Sequence, residues 1–210
     1  MTLAVVAVAF IGLCVLVEVL ARSVSVLSAE LVRKLAHMSS AVLAAFLPLI
    51  LSFDEIALLG IVFAGVMAVS QHLGVFTAIH GVSRSTYGEV MFPLGIAALA
   101  LLCPSPLPYA YGVLVLGLGD GLAAVVGERF GRRAIPLVRT RKTLWGTGAF
   151  VAVCFALGVM LLASAGVSPA YALAAAAAMA IALAPIELFL TYGLDNFALP
   201  VVAGLLVTGL

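Results

Sequence analysis

The sequence predicts an all-α, polytopic membrane protein, and three observations carry that expectation. Of 210 residues, 65% are hydrophobic and only 9% charged, where soluble domains carry about 25% charged residues. The apolar runs are continuous instead of alternating with period two, which argues against a β-barrel. Their abundance, with a mean hydropathy of +1.32, exceeds what a disordered chain tolerates. Finally, the ten Lys and Arg residues are confined to a few short connections, the asymmetry that a bilayer imposes on loops. A water-soluble enzyme is excluded.

A helix needs about 20 apolar residues to cross about 30 Å of hydrocarbon. Runs of this kind lie at 2–21, 35–51, 55–70, 90–103, 109–127, 146–165, 169–192 and 197–210. The fourth and eighth are short, so seven to eight transmembrane helices are expected within a single domain over 1–210. The first run lacks a basic start and is too long for a cleaved leader, so it is read as a retained span. Basic residues cluster after the first run (Arg22, Arg33, Lys34), after the third (Arg84) and after the fifth (Arg129, Arg132, Arg133, Arg139, Arg141, Lys142). The intervening connections at 52–54, 104–108 and 166–168 hold none. Eight crossings put every cation on one side. The positive-inside rule makes that side cytoplasmic and the N-terminus external, in the cytoplasmic (inner) membrane. Cys14, Cys103 and Cys154 lie singly in apolar runs, a spacing that suits neither a disulfide framework nor a zinc site. Trp145, Tyr109 and Tyr111 are expected to mark the two interfaces, and the alanine run at 174–178 to pack closely against a neighbour.

The acids follow the cations. Asp54 and Glu55 fall at the outer interface, where capping explains them. Glu18, Glu30, Glu89, Asp120, Glu128, Glu187 and Asp195 all fall in the cytoplasmic half. Asp120 and Glu187 lie inside predicted spans, and ionisable groups in hydrocarbon are costly enough to suggest function. Asp120 is eight residues from Glu128, about 12 Å along a helix. Carboxylates beneath a loop of six cations suit a polyanion held by Arg and Lys with a divalent metal held by the acids. The structural alternative is a lone buried carboxylate paired with a neighbouring cation. His72 and His80 share a connection without a metal-like spacing and read as solvated loop residues.

Four clusters hold most of the polar residues. Glu30, Arg33, Lys34 and His37 open the second span at helical spacing, a pattern an interfacial basic anchor would also give. Gly88-Glu89 with Pro93 opens the fourth. Gly117, Gly119, Asp120 and Gly121 precede Gly127 and Gly131, followed by Arg141-Lys142-Thr143 and Gly146. Glycines around Asp120 permit a helix break or close approach of a ligand, and the loop beyond offers the cations, hydroxyls and amides that grip phosphates. Neither a Walker loop nor a dinucleotide fingerprint is present. Glu187, Asp195, Asn196 and Pro200 form an acid-rich break between the last two spans.

In this order the clusters resemble the phytol kinase/dolichol kinase (polyprenol kinase) family of membrane proteins, across residues 30–200. The resemblance implies phosphoryl transfer from CTP or another nucleoside triphosphate to an isoprenoid alcohol such as phytol, geranylgeraniol or a polyprenol. It implies catalytic roles for Asp120, Glu89 and His37, with Glu89 or His37 accepting the hydroxyl proton. Arg33, Lys34, Arg141, Lys142, Thr143 and Gly146 would hold the nucleotide. Asp120, Glu187, Asp195 and Asn196 would hold Mg²⁺. The central cluster is also similar to phosphatidate cytidylyltransferases, so CDP-lipid synthesis and a CTP-dependent diacylglycerol kinase stay open. A transporter also places acids and glycines in broken helices, but near midplane and in paired repeats; here the polar groups gather on one side. The expected partners are a membrane lipid and a nucleoside triphosphate, with no nucleic acid and with homo-oligomers left open.

Overall fold

Local chemistry sets several of the helix ends. Ser52 caps the helix that follows it: its hydroxyl accepts from Glu55 N at 3.3 Å, and Glu55 Oε2 accepts from Ser52 N at 2.8 Å. That reciprocal box satisfies amides that the first turn leaves open. Gly74, in the left-handed region at φ 67°, ends the same helix. Pro106 and Pro169 each open a helix where no amide is needed.

The computed structural model describes residues 2–23, 29–76, 87–131, 135 and 142–210, without the side chains of 21–23, 29, 30 and 33. Among these residues the chain forms α1 (Thr2–Ser23), α2 (Ala29–Ala45), α3 (Phe53–Leu73) and α4 (Gly88–Leu102). They are followed by α5 (Pro106–Phe130), α6 (Leu144–Ser164), α7 (Pro169–Phe189) and α8 (Asp195–Thr208). No β-strand occurs among the described residues. Five of these helices, α1, α3, α5, α6 and α7, are long and apolar enough to cross a membrane, and three shorter apolar helices complete the set. The expected all-α polytopic class holds. At 15 and 14 residues, α4 and α8 rise only about 21–23 Å.

The central helix is α5, which packs against α2, α6 and α8, while α4 joins α3 to α8 and α7 closes against α6. Small residues let the backbones approach, as is usual where lipid supplies no hydrophobic drive between helices. A Cβ on Gly158 would meet that of Ala176 at 2.9 Å, which accounts for the alanine run of α7. The glycines around Asp120, read as permitting either a helix break or a ligand's close approach, do not break the helix. Val115–Asp120 instead forms a π-helical turn, and α5 runs through it uninterrupted. Such a turn widens the helix locally and often marks a functional site.

The tyrosines depart from expectation too. Tyr109 and Tyr111 are fully buried, with hydroxyls donating to the Ala44 and Cys154 carbonyls at 3.1 and 3.2 Å. They pin α5 to α2 and α6 instead of marking an interface. Trp145 does stand exposed. Cys103 and Cys154 are buried, Cys14 is half-buried, and all three are free thiols.

Candidate active site

Helices that alternate in direction bring the start of α2, the second half of α5, the residues before α6, the end of α7 and the start of α8 to one end of the bundle. Each supplies one charge. Lys34 of α2 is ion-paired to Asp120 of α5. Lys142, just ahead of α6, stands between three carboxylates: Glu187 Oε1 at 2.6 Å, Asp120 Oδ1 at 3.7 Å and Asp195 Oδ2 at 3.8 Å. Thr147, one turn into α6, donates its hydroxyl to Glu187 Oε2 at 3.3 Å. The Glu187 side chain is 1% exposed, that of Asp120 6% and that of Lys142 21%. Among the described residues three carboxylates face two ammonium groups here, in a setting where each unpaired charge would be costly.

Lys142 lies outside the membrane-spanning helices, and its protonation follows from this setting. Burial works against its charge, yet Asp120, Glu187 and Asp195 outweigh that penalty and hold its pKa above the usual lysine range. It is therefore a fixed cation at neutral pH.

The last break in the chain positions Asp195. Gly193 adopts φ 87°, and a Cβ there would collide with the Gly88 backbone. This contact locks the 190–194 turn onto the start of α4, with Tyr87 N donating to Tyr192 O at 3.1 Å. Asn196 Nδ2 donates to Gly88 O at 3.0 Å. Asn196, expected as a metal ligand, thus uses its amide nitrogen to join two helix N-termini; the oxygen is the atom that would face a metal. Thr143 and Gly146, expected to hold the nucleotide, are engaged with each other: Thr143 caps α6 by accepting from Gly146 N at 3.2 Å. Gly146 also lies against the Ala123 carbonyl, 2.7 Å from where its own Cβ would stand. Arg141 and the Arg33 side chain lie outside the described residues, as do Arg132, Arg133, Arg139, Arg84 and His80.

His37 and Glu89 border the charge network, His37 near enough to Asp120 to interact with its charge. His37 lies one helical turn beyond Lys34, its ring 4.1 Å from that of Phe92 in an edge-on contact. Both His37 and Glu89 line a cavity of about 100 Å³ whose other walls are almost wholly apolar, drawn from α1, α2, α3 and α4. No sequence motif announces this cavity. Thr147 was equally inconspicuous, although its place at the end of the Lys142–Thr147 run is a usable signal.

As arranged, no three His, Cys, Asp or Glu side chains among the described residues stand close enough together to hold a metal. The Lys142 ammonium lies between the three acids. Their donors are nonetheless of the hard carboxylate type that Mg²⁺ takes. The N-termini of α2, α4, α6 and α8 share this end, and their dipoles favour anions there. The arrangement can therefore hold a polyanion and its cation next to an apolar chamber.

The chain is 32% identical to the phytol kinase of Synechocystis sp. over 202 residues, covering 94% of this chain and 86% of that protein. It is 41% identical to the dolichol kinase of Saccharomyces cerevisiae over 68 residues, 32% of this chain and 12% of that protein. No protein-family model matches it, and no solved structure does.

Proposed function

This chain belongs to the phytol kinase/dolichol kinase (polyprenol kinase) family of lipid-alcohol kinases, and from that membership we propose that it moves the γ-phosphoryl group of a nucleoside triphosphate, CTP by preference, onto the hydroxyl of a membrane isoprenoid alcohol. The observation that carries the reading is the joining of two environments at one end of the bundle. A network of Lys34, Asp120, Lys142, Glu187 and Asp195 lies beside a cavity that is apolar apart from His37, Ser40 and Glu89. A phosphate donor and a hydrocarbon-borne acceptor need those two environments side by side.

The chemistry asks for positioning and charge neutralisation more than covalent help. The acceptor oxygen forms a bond to the γ-phosphorus while the bond from phosphorus to the β–γ bridging oxygen breaks. The nucleoside diphosphate leaves with that electron pair. The hydroxyl proton passes to Glu89 or His37, the two titratable groups on the acceptor side. Mg²⁺, held by Asp120 with Asp195 and Glu187, would neutralise the phosphate oxygens when bound. Lys142 and Lys34, with Arg33 and Arg141, would hold the phosphate oxygens. The basic side of the chain makes the cytoplasm the nucleotide's source.

The test is to supply the detergent-purified protein with γ-labelled CTP, Mg²⁺ and phytol, geranylgeraniol, a longer polyprenol, diacylglycerol or phosphatidate. Label should enter an isoprenoid alcohol, and Asp120→Asn should abolish the transfer. Labelled pyrophosphate released with phosphatidate, and no labelled alcohol, would move the assignment to cytidylyl transfer. Omitting Mg²⁺ or exchanging CTP for ATP or UTP checks the cofactor and donor separately.

A further inference from the structure

We propose that the apolar cavity between α1, α2, α3 and α4 is a slot, one hydrocarbon chain wide, that threads the acceptor's tail along the membrane normal with its hydroxyl held between His37 and Glu89. The proposal rests on the kinase reading above and adds to it where the acceptor lies and what limits its length.

The dimensions argue for a slot. Along α3 the lining runs from Met67 to Ile56, eleven residues and about 16 Å of helix. A chamber this long and this slight suits one hydrocarbon chain better than the paired tails of a diacylglycerol. The lining is also ordered by polarity. His37 and Glu89 stand at the end that adjoins Lys34 and Asp120, and His37 is close enough to Asp120 to interact with its charge. Ala44, Leu47 and Ile56 stand at the other end, seven or more residues farther along α2, at least about 10 Å away. A hydroxyl seated at the polar end therefore points its chain toward the opposite face of the membrane. Small or flexible residues (Ala36, Ser40, Ala44, Gly60, Met67) interrupt the bulkier lining, which leaves room for the methyl branches of an isoprenoid.

Ala44 and Ile56 mark the far end of the lining, and that makes length a testable property. Ala44, 1% exposed, is where an added side chain would shorten the space. Ala44→Leu should lower kcat/KM for geranylgeraniol on the order of tenfold, the scale set by a few methylenes displaced from apolar contact. Geraniol, whose two isoprene units end before Ala44, should be little affected. Equal losses for both alcohols in a variant that melts like the wild type would overturn the proposal.

Because overpacking can itself unfold the site, a second experiment uses the wild-type protein without nucleotide. Geranylgeraniol carrying a photoreactive diazirine at its far end is irradiated with the purified protein, and the adducts are located by mass spectrometry. Adducts at Ile56, Leu59 or Phe63, suppressed by excess geranylgeraniol but not by the corresponding alkane, would support the slot. Adducts confined to the outward residues of the same helix (Leu58, Ile61, Val62), unaffected by competitor, would overturn it. This readout needs no turnover, so the two readings fail separately. An unlabelled slot in a protein that still phosphorylates alcohols sinks the slot alone. A labelled slot with no phosphoryl transfer sinks the kinase reading alone.

Discussion

Neutralising Glu187 should cost the protein more stability than neutralising Asp195, although both face the same ammonium. At an effective dielectric constant of about 20, unit charges at the observed separations of 2.6, 3.7 and 3.8 Å attract by roughly 6, 4.5 and 4.4 kcal/mol. Glu187 therefore supplies about two-fifths of the attraction on Lys142, before desolvation removes most of each figure. Removing one partner of a buried pair typically costs about 3–5 kcal/mol. Here Lys142 retains two carboxylates and is 21% exposed, so Glu187→Gln should cost nearer about 2 kcal/mol once that relief is counted. Asp195 is 15% exposed and beyond hydrogen-bonding distance, so Asp195→Asn should cost less than about 1 kcal/mol. Thermal unfolding in one detergent, with the two variants beside the wild type, measures the order. Turnover should rank them differently: Asp195→Asn, near-native in stability, should lose most of its activity because its carboxylate is the more accessible to a bound cation. Equal destabilisation, or the reverse order, would refute Lys142 as the organising charge of this end of the bundle.

The same lysine gives a pH signature. Its folded pKa lies above the unfolded value, so its contribution is fully present below the unfolded pKa and is lost as pH rises through the folded one. Stability should show no loss attributable to Lys142 between pH 7 and 9, by thermal melts, and the alkaline decline should be shallower in Lys142→Met. Gly193→Ala forces a side chain into φ 87° and against the Gly88 backbone; it should lose about 1–3 kcal/mol, with activity falling through displacement of Asp195. Ser52→Ala removes the cap at the opposite end of the bundle. It should cost about 1 kcal/mol while the transfer rate at permissive temperature stays unchanged.

The membrane helices were legible because their signal is compositional: a run of apolar residues declares a span whatever it packs against. The depth of α5 was not. Its predicted limits of 109–127 fell short of Pro106–Phe130 because Pro108 and Arg129 look like boundary residues until the helix is seen to continue past them. The π turn at Val115–Asp120 left no mark beyond its glycines, which read equally well as a break. Tyr109 and Tyr111 misled for a related reason. Tyrosine is favoured at the membrane interface, but also inside a bundle where its hydroxyl finds a helix carbonyl, and only the neighbour's position decides.

Charges were legible as a group and not as pairs. Asp120 and Glu187 stood out in apolar runs, but Lys34 meets Asp120 across 86 residues and Lys142 meets Glu187 across 45, separations no local pattern encodes. Thr143 and Gly146 mark the limit from the other side. A hydroxyl three residues before a glycine amide is what a phosphate loop offers and also what a helix cap requires. In the structure the cap is made.

That difference bears on what the network is for. Stability alone gives a poor reason to gather five ionisable groups at one end of a membrane bundle, since apolar replacements of a buried ion pair are often neutral or stabilising. Pairing Lys34 and Lys142 with three acids keeps each charge tolerable while nothing else is bound. It also leaves every member able to exchange its partner for a stronger one: the acids for a divalent cation, the lysines for phosphate oxygens. On that reasoning we propose that the five residues are the nucleotide site with its charges paired among themselves, and that the neighbouring cavity is why such a site would lie in the membrane.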